Sequence, residues 1–359
     1  MIMAMWKRWR RYIVLFQKKN KIMKQRNYNY DIMRVLACIM IICMHAPMPT
    51  VNANGIILST ISYFTAPGLC LFFVISGSLL LPIKTDTKTF LQKRLGKVIM
   101  PTLVFTILYI SLNYFINGKQ DILRSVLSIP FSAQGHGVLW FMYTLIGLYL
   151  ISPIISKWLD TATKKEVEFY LLLWVITLCY PILKLFVEIN ESNTGVLYYF
   201  SGYIGYFVLG YYLKKYPESI TLKKLIIPDI IAITAPIALK VMHIEVDFYS
   251  MFWYLSIFVA LLCTTIYVLI NKVKIKSEKI IYAFQLISNL SFGIYLIHIA
   301  VMRFFIWKLD FIINISNYMV QWIIVVGLTF IISCSIAYII SLLPFGDYII
   351  GYKKQKNTK

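Results

Sequence analysis

Arg34 and His45 lie in one apolar stretch and are the residues whose types and spacing best suit chemistry. An offset of eleven residues returns both to one face of a helix, about 16–17 Å apart along its axis. Ionisable groups are costly inside a spanning helix and usually face a polar interior. Asp31, three residues before Arg34, is placed to pair with it. We therefore expect this face to be a functional site; anchoring of Arg34 at the inner membrane interface and of His45 at the outer end is the alternative.

A second polar stripe consists of Ser291, Tyr295 and His298. Spacings of four and three residues place the three on one helix face. A hydrogen bond from His298 to a neighbouring helix explains its presence as well as direct catalysis does.

A cluster of cations, Lys93, Arg94 and Lys97, comes shortly before Pro101. Ordinary membrane topology produces such clusters, but this one is predicted to share a membrane face with Arg34. A polyanionic cofactor would be held there by charge-assisted hydrogen bonds. We expect Arg94 and Lys97 to join Arg34 in such a site.

The composition excludes a soluble enzyme. Of the 359 residues, 59% are hydrophobic and 14% are charged, and the mean hydropathy is +0.72, whereas soluble domains are roughly a quarter charged. The six cysteines stand singly in apolar runs without a CxxC pair. They are expected to be reduced packing residues, with no disulfide framework and no metal site.

A spanning helix needs about 20 mostly apolar residues. Division of the chain on this basis predicts an all-α, polytopic membrane bundle of about ten helices. The predicted spans are 29–47, 63–83, 98–116, 138–156, 168–187, 196–213, 225–242, 250–270, 281–302 and 318–343.

The basic residues alternate between successive connections, so that 30 of the 36 fall on the side that holds both termini. Because positive loops mark the cytoplasmic side, both termini are predicted to be cytoplasmic. The net charge of +21 then reflects topology and attraction to membrane lipid, and nucleic acid is not implied.

Three regions are predicted: a basic cytoplasmic segment at 1–28, a membrane domain at 29–345 and a basic cytoplasmic tail at 346–359. Residues 1–22 either form an interfacial basic segment or precede the native start, and no cleavable signal peptide is expected. The aromatic residues near Trp140 mostly suit an interfacial belt, although some are suited to stack on a sugar ring.

The pattern as a whole resembles the acyltransferase-3 family of integral membrane acyltransferases, in particular the stand-alone bacterial members that O-acetylate surface polysaccharides. The resemblance covers most of the chain. One departure is Val138, which stands where the family often has a histidine, so that the nearest is His136. The matching segments are Asp31 with Arg34 and His45, 72–77, 94–101, 139–141, 148–153, 210–212 and 291–298.

This resemblance implies transfer of an acetyl group from cytoplasmic acetyl-CoA to a hydroxyl of a cell-surface glycan or lipid-linked saccharide, at a bacterial inner membrane. The extended pantetheine arm of CoA matches the separation of Arg34 and His45 along a helix. Under this interpretation His45 is either the general base or a transient acyl carrier. The expected donor-binding residues are Asp31, Arg34, Arg94 and Lys97, and the expected acceptor-side residues are Trp140, Ser291, Tyr295 and His298.

Two other functions fit the same spans. A non-enzymatic transporter or flippase of a lipid-linked sugar would also need intramembrane polar groups, although it would not require the Arg34 and His45 spacing. An enzyme of the same family with another donor, such as succinyl-CoA, is the second. The acceptor sugar and the oligomeric state do not follow from the sequence.

Overall fold

The computed structural model describes residues 26–48, 63–117, 122–133, 139–243 and 251–354, and these residues form helices and connections without a β-strand. The all-α prediction is therefore confirmed. His136, Val138 and the segment 1–25 lie outside the described residues. The helices are α1 (Tyr28–His45), α2 (Pro67–Leu80), α3 (Thr87–Asn117), α4 (Ile122–Ser128), α5 (Trp140–Thr161), α6 (Lys164–Leu178), α7 (Tyr180–Leu183), α8 (Ile204–Lys215), α9 (Leu222–Val241), α10 (Ile257–Asn271), α11 (Glu278–Phe304), α12 (Asp310–Ile313), α13 (Tyr318–Leu342) and α14 (Gly346–Ile350).

Five helical stretches of the described chain are long and apolar enough to cross a membrane. Each predicted span overlaps a helix, but α6, α8 and α10 have only 15, 12 and 15 residues. The number of ten spans and the cytoplasmic termini therefore stay predictions. The five stretches are Tyr63–Leu80, Thr87–Phe115, Trp140–Thr161, Glu278–Lys308 and Tyr318–Leu342.

Helix α1 lies at the centre of the bundle, where it packs against α2, α10, α11 and α13. Its first turn is polar, and the side chain of Asn27 caps it by accepting a hydrogen bond from the amide of Asn29 at 3.0 Å. Trp322 on α13 donates its indole N–H to the carbonyl of Cys43 at 3.0 Å and so fixes the other end of α1.

Glycines allow α2 and α8 to approach closely. A Cβ on Gly77 would collide with the carbonyl of Phe207, and one on Gly210 would collide with the carbonyl of Val74. Both glycines therefore serve helix packing, and the pair resembles small-residue contacts between membrane helices in general.

Helices α1 and α11 run parallel. Cys38 donates its thiol hydrogen to the carbonyl of Ser291 at 3.5 Å, and seven residues further along both helices His45 lies beside His298. This shared direction agrees with the loop charges, which predict that the first and ninth spans run the same way.

Two predicted spans differ from the helices because of local chemistry. The span predicted at 168–187 ends as a long helix at Leu178, because Pro181 lacks the amide hydrogen needed to continue it. The span predicted at 196–213 becomes α-helical only at Ile204, after a 3₁₀ turn and after Gly202, whose φ of 90° a helix does not accommodate.

Helix α3 begins earlier than the predicted span at 98–116. The carboxylate of Asp86 accepts a hydrogen bond from the amide of Thr89 at 2.8 Å and starts the helix at Thr87. The cation cluster of Lys93, Arg94 and Lys97 therefore lies on the first turns of α3 rather than in a loop.

The first part of the segment predicted as a tail packs against the bundle. Ile350 on α14 is completely buried against Gly293 of α11, and the amide of Lys354 donates to the carbonyl of Ser341 at 2.8 Å. All six cysteines are free, and four of them are buried among packed side chains.

Candidate active site

His45 and His298 form a histidine pair at the carboxyl-terminal end of α1. Their ring centres are 5.6 Å apart. His298 is completely buried, whereas His45 is half-buried and is the member of the pair that solvent or a ligand reaches. The sequence placed these residues on two separate helices, and only the parallel packing of α1 on α11 brings them together.

Aromatic side chains enclose the histidine pair. Tyr295 lies 5.6 Å from the ring of His298, and Phe141 lies 5.2 Å from Tyr295. Trp140 stacks on Tyr254 at 5.4 Å. These rings make one wall of mostly apolar surface beside the two imidazoles.

Two further hydrogen bonds hold this wall in place. Tyr254 donates to the sulfur of Met44, the residue before His45, at 3.2 Å. Tyr109 on α3 donates to the carbonyl of Leu296 on α11 at 2.9 Å. Three of the four predicted acceptor-side residues, Trp140, Tyr295 and His298, therefore belong to this region.

Ser291 is the exception among the predicted acceptor-side residues. It is buried seven residues before His298, and its carbonyl contacts Cys38 in the middle of α1. Two helical turns, or about 10 Å at the usual rise, separate it from the histidine pair. The structure does not bring Ser291 to that end of the helices.

At the opposite end of α1 lies a cavity of about 690 Å³, here called the cationic cavity. It opens between α1, α2, α8 and α10. Four cations and two carboxylates are among the described residues that line it: Arg26, Arg34, Lys214 and Lys272 with Asp31 and Glu218.

The ion pair of Asp31 differs from the expected one. Its carboxylate contacts Arg26, with the Nε donor at 2.9 Å, and Arg26 also donates to Asn289 of α11 at 3.0 Å. Arg26 precedes the predicted span, so spacing within that span does not indicate this partner. Arg34 makes no hydrogen bond or ion pair with any described residue, so its guanidinium donors are free to meet a ligand.

Hydroxyl groups link four helices beside the cationic cavity. The hydroxyls of Tyr30 and Tyr267 are 3.2 Å apart, and Tyr267 is 3.1 Å from the hydroxyl of Ser78. Ser78 donates to the carbonyl of Gly210 at 2.7 Å. This chain of hydrogen bonds ties α1, α10, α2 and α8 together at the depth of Arg34.

Arg94 and Lys97 occupy different environments. Arg94 is half-buried and lies within electrostatic range of both Arg34 and Tyr149. The side chain of Lys97 is exposed, and its backbone carbonyl faces Gly351 after α14. The structure thus brings Arg94 towards Arg34, but both Arg94 and Lys97 lie outside the lining of the cationic cavity.

Helix α1 joins the two regions. Arg34 and His45 stand on one continuous helix, so the helical rise separates them by about 16–17 Å. A guanidinium at one end and an imidazole at the other are held at fixed separation on the same face.

A family model for an acyltransferase domain, that of the acyltransferase-3 family, matches residues 27–338. The chain belongs to the acyltransferase-3 family. No curated protein and no solved structure matches it. The matched region of this acyltransferase begins at the cap of α1 and ends within α13, so it includes the histidine pair and all but Arg26 of the charged cavity residues.

Sequence reasoning missed three further charged residues of this acyltransferase. Lys214 lines the cationic cavity and donates to the carbonyl of Ser78 at 2.7 Å, and Lys272 lines the same cavity. Arg303, five residues after His298, lies within electrostatic range of both histidines and over the ring of Trp307 at 5.8 Å. The sequence could have indicated Arg303, because few basic residues fall on the predicted outer side.

Proposed function

We propose that this acyltransferase moves an acetyl group from cytoplasmic acetyl-CoA to a hydroxyl of a cell-surface glycan or lipid-linked saccharide at a bacterial inner membrane. The observation that carries the proposal is the placement of an unpaired Arg34 and a half-buried His45 at opposite ends of one helix face. Membership of the family supports acyl transfer as the reaction class.

The cationic cavity is the proposed donor site. Arg34 has no protein partner among the described residues, and Lys214 and Lys272 line the same space. Guanidinium and ammonium groups suit the phosphates of CoA because both form charge-assisted hydrogen bonds. Arg94 adds positive potential from α3, and Asp31 orients Arg26 at the rim.

The pantetheine arm of a donor bound in the cavity would extend along α1. Its extended length of roughly 15–20 Å is close to the rise between Arg34 and His45. The thioester would then lie beside the histidine pair and the aromatic wall that contains Trp140 and Tyr295. A sugar ring has both apolar faces and hydroxyl groups, and such a wall suits its faces.

In the proposed reaction the acceptor oxygen attacks the thioester carbon and the carbon–sulfur bond breaks. His45 accepts the hydroxyl proton and returns it to the departing thiolate, so that an ester and free CoA result. In the alternative route a ring nitrogen of His45 attacks the thioester carbon, the carbon–sulfur bond breaks and an acetyl–imidazole forms. The acceptor hydroxyl then attacks the acetyl carbon, the carbon–nitrogen bond breaks, and the hydroxyl proton passes to the departing imidazole and from there to the thiolate, so that the same ester and free CoA result.

Acetyl transfer by purified protein tests the proposal. The protein in lipid nanodiscs, supplied with radiolabelled acetyl-CoA and a surface-glycan extract, should release CoA and place label in an alkali-labile ester. Labelled succinyl-CoA in a parallel reaction tests the other donor.

A transporter gives a different result from an enzyme. Movement of a lipid-linked sugar across vesicles without release of CoA would favour the transporter and contradict the proposal. If acetyl transfer is observed, comparison of ester-linked acetyl groups on cells with and without the gene would identify the modified sugar.

A further inference from the structure

We propose that His298 positions His45 for acyl transfer as the inner member of a histidine dyad, an inference that rests on the function proposed above. The ring centres are 5.6 Å apart, and the two residues differ in access. His298 is completely buried, whereas His45 is half-buried. A substrate therefore meets His45, and His298 acts through it.

The hydrogen bonding of His298 fixes its tautomer. Its Nδ1 contacts the backbone carbonyl of Tyr295, and a carbonyl oxygen only accepts, so Nδ1 carries the hydrogen. In a neutral ring the other nitrogen, Nε2, then holds a lone pair. This buried Nε2 has no hydrogen-bond partner among the described residues.

A buried acceptor without a partner is costly, and the ring of His45, which lies 5.6 Å away on α1, can supply a donor. A ring nitrogen stands about 1.1 Å from its ring centre, so two facing nitrogens would approach to about 3.4 Å, just beyond hydrogen-bonding range. Catalytic hydrogen bonds are often long before substrate binds. A small rotation of the half-buried ring of His45 completes the bond.

This bond would give the two ring nitrogens of His45 different roles. One carries a hydrogen that is donated to Nε2 of His298, and the other presents its lone pair to the acceptor hydroxyl. When His45 takes the hydroxyl proton, the imidazolium remains hydrogen-bonded to His298 and then returns the proton to the thiolate. His298 keeps its own proton throughout, so it is a positioning residue.

Two substitutions separate positioning from packing. Glutamine at 298 keeps a donor for the carbonyl of Tyr295 and an acceptor for His45, whereas leucine keeps neither. We expect His298→Leu to lower kcat for acetyl transfer by about 100-fold with an unchanged KM for acetyl-CoA, and His298→Gln to stay within about tenfold of wild type. The double variant His45→Ala/His298→Leu should be no slower than His45→Ala alone.

The matched control is Ser333→Ala on α13, which also removes a buried polar group without a described partner. Each variant is compared at equal amounts of folded protein in nanodiscs, and His298→Met replaces the leucine variant if that one does not insert. Three results would each overturn the role: full kcat in the leucine variant, equal loss in the glutamine and leucine variants, or multiplied losses in the double variant. If the wild-type protein transfers no acetyl group, both the proposed function and this role of His298 are wrong. If the wild type is active and the His298 variants keep its kcat, only the role of His298 is wrong.

Discussion

His45 combines access with a fixed environment. It is half-buried at the end of α1, with the buried ring of His298 on one side and Met44 anchored by Tyr254 next to it. A general base must lie within hydrogen-bonding distance of the proton that it accepts, and its side chain must be held in one orientation. Among the described histidines, His45 has both.

Replacement of His45 by alanine should abolish most transfer. Loss of a general base or of a carrier typically lowers kcat by about 10²–10⁴-fold, and the KM for acetyl-CoA should stay the same because the cationic cavity is intact. Steady-state kinetics in nanodiscs measure both constants. Cys43→Ala, on the same helix, is the control, and near-normal transfer by His45→Ala would contradict either role.

Replacement of Arg34 by glutamine should weaken donor binding. A hydrogen bond to a charged group contributes roughly 1.5–3 kcal/mol, so the KM for acetyl-CoA should rise about ten- to a hundredfold. Lys157→Gln, an exposed lysine outside the cavity lining, should leave KM unchanged. Equal KM values for the Arg34 variant and wild type would remove Arg34 from the donor site.

The sequence predicted the types and helix positions of these residues, because periodicity along one helix is a local property. It did not predict the pairing of Asp31 with Arg26 or the approach of His298 to His45. Both depend on where the chain before α1 turns and on which helix packs beside it. Spacing within a single helix carries neither kind of information.

At the scale of helices, the bundle is held by close backbone contacts and by caps. Gly77 and Gly210 let α2 and α8 meet, and the hydroxyl of Ser78 bonds across the same interface to a backbone carbonyl. Where apolar surface already faces lipid, such contacts supply much of the specificity of helix packing.

Substitution of Gly210 by alanine should destabilise the bundle. Its Cβ would collide with the backbone of Val74, which cannot move without separating α2 from α8, and overpacking of this kind typically costs about 1–3 kcal/mol. A lower thermal unfolding midpoint in detergent is the expected result. Gly147→Ala is the control, since nothing lies within 4 Å of its added Cβ; equal midpoints for the two variants would disprove the contact.

The start of α6 should respond to pH. Thr163 and Glu166 form a capping box, and hydrogen bonds from the backbone and side chain of Thr163 hold the pKa of Glu166 below its usual range. A lowered pKa means that the cap is stable at neutral pH and is lost as pH falls through the lowered value. Hydrogen exchange at 164–168 should therefore accelerate, relative to intrinsic rates, as pH falls below the usual pKa range of a glutamate.

Removal of the threonine hydroxyl should have the same effect at neutral pH. Thr163→Val should speed exchange of the first turn of α6 by about fivefold. Thr161→Val, at the end of α5, serves as the control. Unchanged exchange at 164–168 in the Thr163 variant would show that the box does not stabilise the helix.

The presence of the helices could be predicted from the sequence, but several of their boundaries could not. Apolar periodicity located α1, α11 and α13 closely, because long apolar runs leave few alternatives. The early start of α3 depends on Asp86 as a cap, and the late start of α8 depends on Gly202. Each boundary depends on a single residue, and an average of hydropathy over 20 residues does not show such an effect.

At the scale of the whole molecule, many large apolar side chains of the described residues face outward, and buried polar groups lie among the helices. In α13 the most apolar window has a mean hydropathy of 2.6 and is only 22% buried, which is the pattern of a lipid-facing helix. Helix α1, with Asp31 and Arg34, is largely buried instead. The arrangement places the charged residues where other helices, rather than lipid, surround them.

The predicted topology can be tested by labelling single new cysteines in intact cells. Ser192→Cys lies in a connection predicted to be outside and Ser277→Cys in one predicted to be inside, and both positions are exposed. A membrane-impermeant maleimide should label the first and spare the second until the cells are opened. The unsubstituted protein gives the background from its native cysteines, and the reverse labelling would overturn the assignment of both termini to the cytoplasm.

One consequence follows from the continuity of α1. Arg34 and His45 are joined by unbroken helix, so sliding or tilting of neighbouring helices alters what surrounds them without altering the span between them. The helix therefore keeps the distance between the guanidinium end and the imidazole end constant. Under the proposed function, a donor is selected by the length of its arm as well as by its charge, since only an arm that reaches the full span brings its reactive carbon to the imidazole.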